Sequence, residues 1–146
     1  MKTPTEKLLG ELYDYARCGC EAVHGITPHL TSPELLADTA AQLEIYSAIG
    51  ESAQRMLEEK SYPPASFPLH EKLGVRGGVL METMGMTDQA ELARVLRVSM
   101  RDSANRLRST VADLSGGCDE DALALGQRLL GYTLYETEKL GTIRCK

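Results

Sequence analysis

The sequence has no tryptophan, a single phenylalanine (Phe67) and three histidines, His24, His29 and His70. With aromatics this scarce, the interior has to be built from Leu, Val, Ala and Met. Few histidines also leave little room for a metal centre rich in imidazole. No apolar run approaches the roughly 20 residues needed to cross a bilayer. Met1 to Lys7 likewise lacks the apolar stretch of a signal peptide. The expectations are no membrane insertion and a cytoplasmic location. A net charge of −5 argues against nucleic acid, which calls for a concentrated basic face. The densest basic stretch, Arg94, Arg97, Arg101, Arg106 and Arg108, is interrupted by Asp102 and reads as a solvated helix face.

Cysteine chemistry is equally sparse. The four cysteines, Cys18, Cys20, Cys118 and Cys145, contain no Cys-x-x-Cys pair and are expected as reduced thiols. Cys18 and Cys20 project about 200° apart on a helix, so they cannot chelate together. Cys118 precedes a helix start, which favours thiolate, but Asp119 and Glu120 oppose ionisation. The glycines at 74, 77 and 78 are not a phosphate loop, because no Lys-Ser/Thr follows them. No Ser/His/Asp set and no β-hairpin signal is present.

What the chain does contain is helix punctuation. Thr3, Pro4 and Glu6 open a first helix that should run to about Gly25. Ser32 and Pro33 open a second, ending near Lys60 before Tyr62-Pro63-Pro64. A shorter apolar segment spans about Leu69 to Met84. Asp88 and Glu91 form a capping box for a helix to about Leu114, stopped by Ser115-Gly116-Gly117. Asp119, Glu120 and Asp121 begin the last helix, with Lys139, Arg144 and Lys146 towards its end, both charge sets suiting the helix dipole.

Each long helix carries one apolar stripe at a period of 3.6 residues. The first has Leu8, Leu9, Leu12, Ala16, Gly19 and Val23. The second has Leu35, Thr39, Leu43, Tyr46, Ile49, Gly50, Ala53 and Leu57. The third has Leu92, Leu96, Ser99, Met100, Ser103, Leu107, Thr110 and Leu114, and the last has Leu123, Gly126, Leu130, Thr133, Leu134 and Thr137, with Leu129 and Leu140 broadening one side. One stripe per helix is the mark of a bundle. Short first and last loops imply antiparallel neighbours, and the long middle connection is long enough to cross the bundle from end to end. The expected fold is therefore all-α, one domain over residues 1–146. It is a ferritin-like four-helix bundle with an additional short helix in the connection between the second and third long helices.

Tyr15-Ala16-Arg17-Cys18-Gly19-Cys20-Glu21-Ala22-Val23, Leu43-Glu44-Ile45-Tyr46 and Glu136-Thr137-Glu138-Lys139-Leu140, together with the order and lengths of the helices, carry a likeness. In these features the chain resembles an uncharacterised family of small bacterial ferritin-like bundle proteins, some related in type to spore-associated bundles. That resemblance implies the fold and carries no reaction with it.

A di-iron centre of ferritin type needs Glu-x-x-His on two helices and further inward Glu on two more. Only Glu21-Ala22-Val23-His24 matches, and Glu21 falls about 180° from the stripe centre, facing solvent or an edge. No other helix offers a clearly inward carboxylate. If the first two helices pair across their short turn, Glu21, His24 and Asp38 form a candidate surface site for a divalent ion, since imidazole and carboxylate suit zinc. The alternative is a cationic His24 favoured by a helix C-terminus. No cofactor is expected. Ser and Thr in the stripes either bond the carbonyl one turn back or line a small-ligand cavity. The short helix, with Gly74, Gly77, Gly78, Leu80, Met81, Met84 and, just beyond it, Met86, is either crossover packing or a homodimer face or partner groove. Two functions remain: a non-enzymatic structural or protein-interaction bundle, homodimeric through that helix, or a ferritin-like metal- or small-ligand-binding protein with a non-standard site.

Overall fold

The computed structural model describes residues 1–143, so the expectations placed on Arg144, Cys145 and Lys146 lie outside the described residues. Five α-helices form: α1 (Pro4–Ile26), α2 (Pro33–Glu59), α3 (Leu69–Thr83), α4 (Gln89–Leu114) and α5 (Glu120–Thr142). Among the described residues there is no strand, and no helix is long and apolar enough to cross a membrane.

Local sequence explains most boundaries. The Thr3 hydroxyl accepts from the Glu6 N–H at 3.1 Å and the Ser32 hydroxyl from the Leu35 N–H at 3.3 Å. Each satisfies an otherwise orphaned first-turn amide. Asp88 accepts from the Ala90 N–H at 2.9 Å, but the expected box is incomplete: the Glu91 carboxylate turns instead to Arg94, 2.9 Å away. Asp119 makes no side-chain cap either. It and Asp121 both reach the Lys60 ammonium at 3.0 Å, tying the end of α2 to the start of α5.

Contacts at the helix ends give the directions. At one end the Thr3 hydroxyl donates to Tyr62 at 2.9 Å and Thr5 accepts from the Asp119 N–H at 2.8 Å. The starts of α1 and α5 therefore meet the end of α2. At the other end the Gln89 side-chain oxygen accepts from the Thr31 and Ser32 N–H groups, joining the starts of α2 and α4. The chain between α2 and α4 consequently travels the full length of the molecule, and α3 is the helical part of that journey. Helices α1 and α2 pack extensively on each other, as do α4 and α5, while α3 lies along α1.

One core runs through the four long helices, centred on Leu8, Leu12, Ala16, Leu35, Ile49, Ala53, Leu92, Leu96, Ala122 and Leu129. The expected stripes of α1 and α2 are buried almost throughout. On α4, Ser99 is exposed and Ser103 and Thr110 are half-buried. The interior face of α5 differs more: it comprises Ala122, Leu125, Gly126, Leu129, Thr133, Glu136, Thr137 and Leu140, while Leu134 is exposed. That is a rotation of about 70° from the expected face. Two leucine rows lie side by side on α5, and packing against α4 and α1 selects the row whose continuation carries Glu136.

Candidate functional site

Three features of this scaffold have chemical potential: two buried carboxylate clusters, a groove beside α3, and the outer face of α3.

Glu21 is 1% exposed, contrary to the solvent-facing position expected of it. Its distance from the α1 stripe was read correctly, but α3 covers that opposite face. Arg76 of α3 donates its Nε–H to Glu21, and Lys72 of α3 and Arg17 of α1 each approach at 3.8 Å. Glu21 is thus the polar anchor that holds α3 on α1. Close packing supports it: a Cβ on Gly25 would meet Val79 at 3.1 Å.

Asp38 and Glu136, on facing sides of α2 and α5, form the second cluster and are 3% and 2% exposed. They are near enough that a proton on one of them can bridge the pair, raising the Glu136 carboxyl and lowering that of Asp38. Gln42 donates to Asp38 at 2.9 Å, and the Lys139 ammonium sits 3.0 Å from it. Burial pushes the Glu136 carboxyl up to about 8, and the bond to Asp38 and the charge of Asp38 add to the effect. Burial also penalises Asp38, but hydrogen bonds from Glu136, Gln42 and Lys139 outweigh it and hold that carboxyl below its ordinary value. Glu136 therefore carries the proton and Asp38 the charge. Beside them the Tyr132 phenol is pushed up by burial and by the neighbouring carboxylates. Neither inward carboxylate was anticipated. Asp38 is expected at a surface ion site, and Glu136 falls at the margin of the α5 stripe that runs through Leu123, Leu130 and Leu134.

The proposed ion site therefore does not assemble. Glu21 is enclosed by three cations, His24 is exposed, and Asp38 is committed to Lys139 and Gln42 on another helix interface. Among the described residues, no three His, Cys, Asp or Glu side chains gather so as to hold a metal ion. Cys18, Cys20 and Cys118 are free thiols, and burial pushes each upward, Cys18 to about 11. None has the lowered value of a reactive thiolate.

Between α3 and α4, with α1 as its floor, runs a half-open groove of about 870 Å³. Val75 and Val79 of α3 line one side and Leu96, Met100, Ser99, Ser103 and Thr110 of α4 the other, with Tyr15 and Cys18 beneath. The stripe hydroxyls thus divide. Thr39, Thr133 and Thr137 donate to carbonyls one turn back at 2.8–2.9 Å, whereas Ser99, Ser103 and Thr110 face the groove. Tyr15 and Tyr46 line it as well, and their rings continue edge-on to Tyr132 next to the acid pair. Gln42 stands between the groove and Asp38.

The third feature is the outer face of α3. Leu69, Leu73, Leu80, Met81 and Met84 are exposed, from 54% for Leu80 to 76% for Met81. They make up half of the large exposed apolar side chains among the described residues, four of them on one 15-residue helix and Met84 directly after it.

Compared with family models, curated proteins and solved structures, the chain matches none of them.

Proposed function

We propose that the protein is a non-enzymatic interaction bundle: a ferritin-like four-helix frame of α1, α2, α4 and α5 that carries α3 as a docking helix and self-associates through it. The frame reading is supported by two antiparallel helix pairs and by a connection that crosses from one end to the other. The observation that carries the function is the apolar outer face of α3. A contiguous row of open leucine and methionine is uncommon on a monomer and typical of a protein contact. The remaining chemistry supports a structural role, since the buried acids are neutralised by cations or by a shared proton.

Sedimentation tests it. The wild type should associate reversibly over the micromolar range, and Leu73→Asp with Leu80→Asp should be monomeric while keeping the wild-type helical signal. A wild type that stays monomeric at high micromolar concentration would sink the proposal.

Small-ligand binding is the alternative, favoured by the groove and the hydroxyls of Ser99, Ser103 and Thr110 along its α4 side. Its volume lies within the range of small-molecule sites. Thermal-shift screening of small amphiphiles against wild type and Ser103→Leu checks it: stabilisation that the variant loses supports a ligand site, and no stabilisation by any compound counts against one.

A further inference from the structure

The spacing of the exposed residues on α3 says more than that the helix is sticky. We infer that the docking partner is a second copy of this chain, with the two α3 helices antiparallel and crossing where Gly77 of one copy meets Arg76 and Gly77 of the other. This rests on the reading of α3 as the self-association face. Leu69, Leu73, Leu80 and Met84 share one face of the helix and are placed symmetrically about the point between Arg76 and Gly77. In an antiparallel pair Leu69 therefore meets Met84 of the second copy, and Leu73 meets Leu80. Each contact occurs twice, which is the requirement of a twofold interface. A parallel pair would set Leu73 beside Leu73 and Leu80 beside Leu80 whatever their spacing, so only the antiparallel pair has a use for this symmetry within the helix.

The glycines supply an independent argument. Glycine within a helix is costly, and it is usually retained where a backbone must come close to something. A Cβ added at Gly74, Gly77 or Gly78 would meet nothing within 4 Å; the same is true of Gly10 in α1 and Gly131 in α5, but only α3 gathers three such glycines. The fold of one copy gives no reason for them. Gly77 at the crossing point gives one, since its missing side chain lets the two helices approach.

Charge and area agree. Arg76, the cation nearest the midpoint, is drawn inward by Glu21 and so does not face its own copy across the axis with a free charge. Glu71 and Glu82 lie about 160–180° from the apolar face, away from the seam. The four largely open side chains of this face present on the order of 500 Å² per copy, below the roughly 800 Å² per partner of a standard interface and consistent with a reversible, concentration-dependent dimer.

Cross-linking with peptide mapping separates the arrangement from mere association. Under mild oxidation, Gly77→Cys copies should link to one another through that position, and Leu73→Cys copies should link to Leu80→Cys copies in a mixture. Leu73→Cys alone should not self-link there, because its two copies lie about 10 Å apart along the antiparallel helices. A dimer abolished by the aspartate variants in which Leu73→Cys links to itself overturns the antiparallel arrangement while leaving α3 as the contact. Absence of any dimer by sedimentation removes both. Gly77→Ala should weaken association about tenfold, and an unchanged or tighter dimer would contradict the close crossing.

Discussion

The four long helices and α3 are built from similar residues and end in opposite situations. Leu8, Leu12, Leu35, Leu92 and Leu129 have no exposed surface, whereas Leu69, Leu73 and Leu80 are open over more than half of theirs. The frame is held by interdigitated side chains from four helices. α3 is held chiefly along α1, by Val79 against Gly25 and by the ion cluster at Glu21. The same leucine content therefore produces a rigid interior in one region and an unfilled surface in the other. Burial depends on how many elements surround a residue more than on what the residue is.

The contrast is sharpest for truncations. Leu12→Ala should cost about 3–4 kcal/mol, because it removes a fully buried side chain from a packed core and leaves a cavity. Leu73→Ala on α3 should stay within about 0.5 kcal/mol. Urea unfolding at a concentration where the chain is monomeric compares them directly, and equal losses would show that α3 is packed into the core after all.

The buried acid pair should make the frame sensitive to pH. Folded Glu136 keeps its proton up to about pH 8, while the unfolded chain releases it near 4.5. Between those values the folded state binds more protons, so stability falls as pH rises and levels off above about 8. Asp38 acts in the opposite sense, its contribution being lost only as pH falls below its ordinary range. Glu136→Gln retains a donor for Asp38 and removes the ionisation. It should flatten the profile between pH 5 and 8 and stabilise the protein at pH 8 by on the order of 2 kcal/mol. Melting temperature against pH is the measurement, and a wild-type profile already flat there would refute the shared proton.

A smaller and more local effect is expected at Glu21. Glu21→Gln releases Arg76 and Lys72 to solvent and should cost about 1 kcal/mol, since both cations are already partly exposed. Its signature is hydrogen exchange: amides of α3 should exchange faster while those of α2 and α5 stay unchanged. Uniform acceleration across all helices would mean that Glu21 supports the frame as a whole.

Much of the architecture was legible. Thr3, Ser32 and Asp88 marked three helix starts because their hydroxyl or carboxylate oxygens bond amides two or three residues ahead, a local event independent of the rest of the fold. Tyr62-Pro63-Pro64 marked an end for the same reason. The candidate site was less legible. Glu21 was placed on the correct side of α1 but given to solvent, because a helical wheel shows one apolar stripe and cannot show a fifth helix lying on the other side. Glu136 was missed because α5 carries two adjacent leucine rows of nearly equal hydrophobicity, and the row that turns inward depends on its neighbours. A weak signal was present: Glu136 and Lys139 stand one turn apart on α5, a spacing that lets a cation compensate a buried acid.

The sequence alone determined the number, order and limits of the helices and the length of the crossing between α2 and α4, since capping, proline geometry and periodic hydrophobicity act over a few residues. Only the tertiary structure decided that α1 is covered on a second face, which face of α5 is interior, which carboxylates lose their water, and that the leucines of α3 stay uncovered by the rest of the chain. Those outcomes depend on what lies across each face, and no residue carries that information by itself.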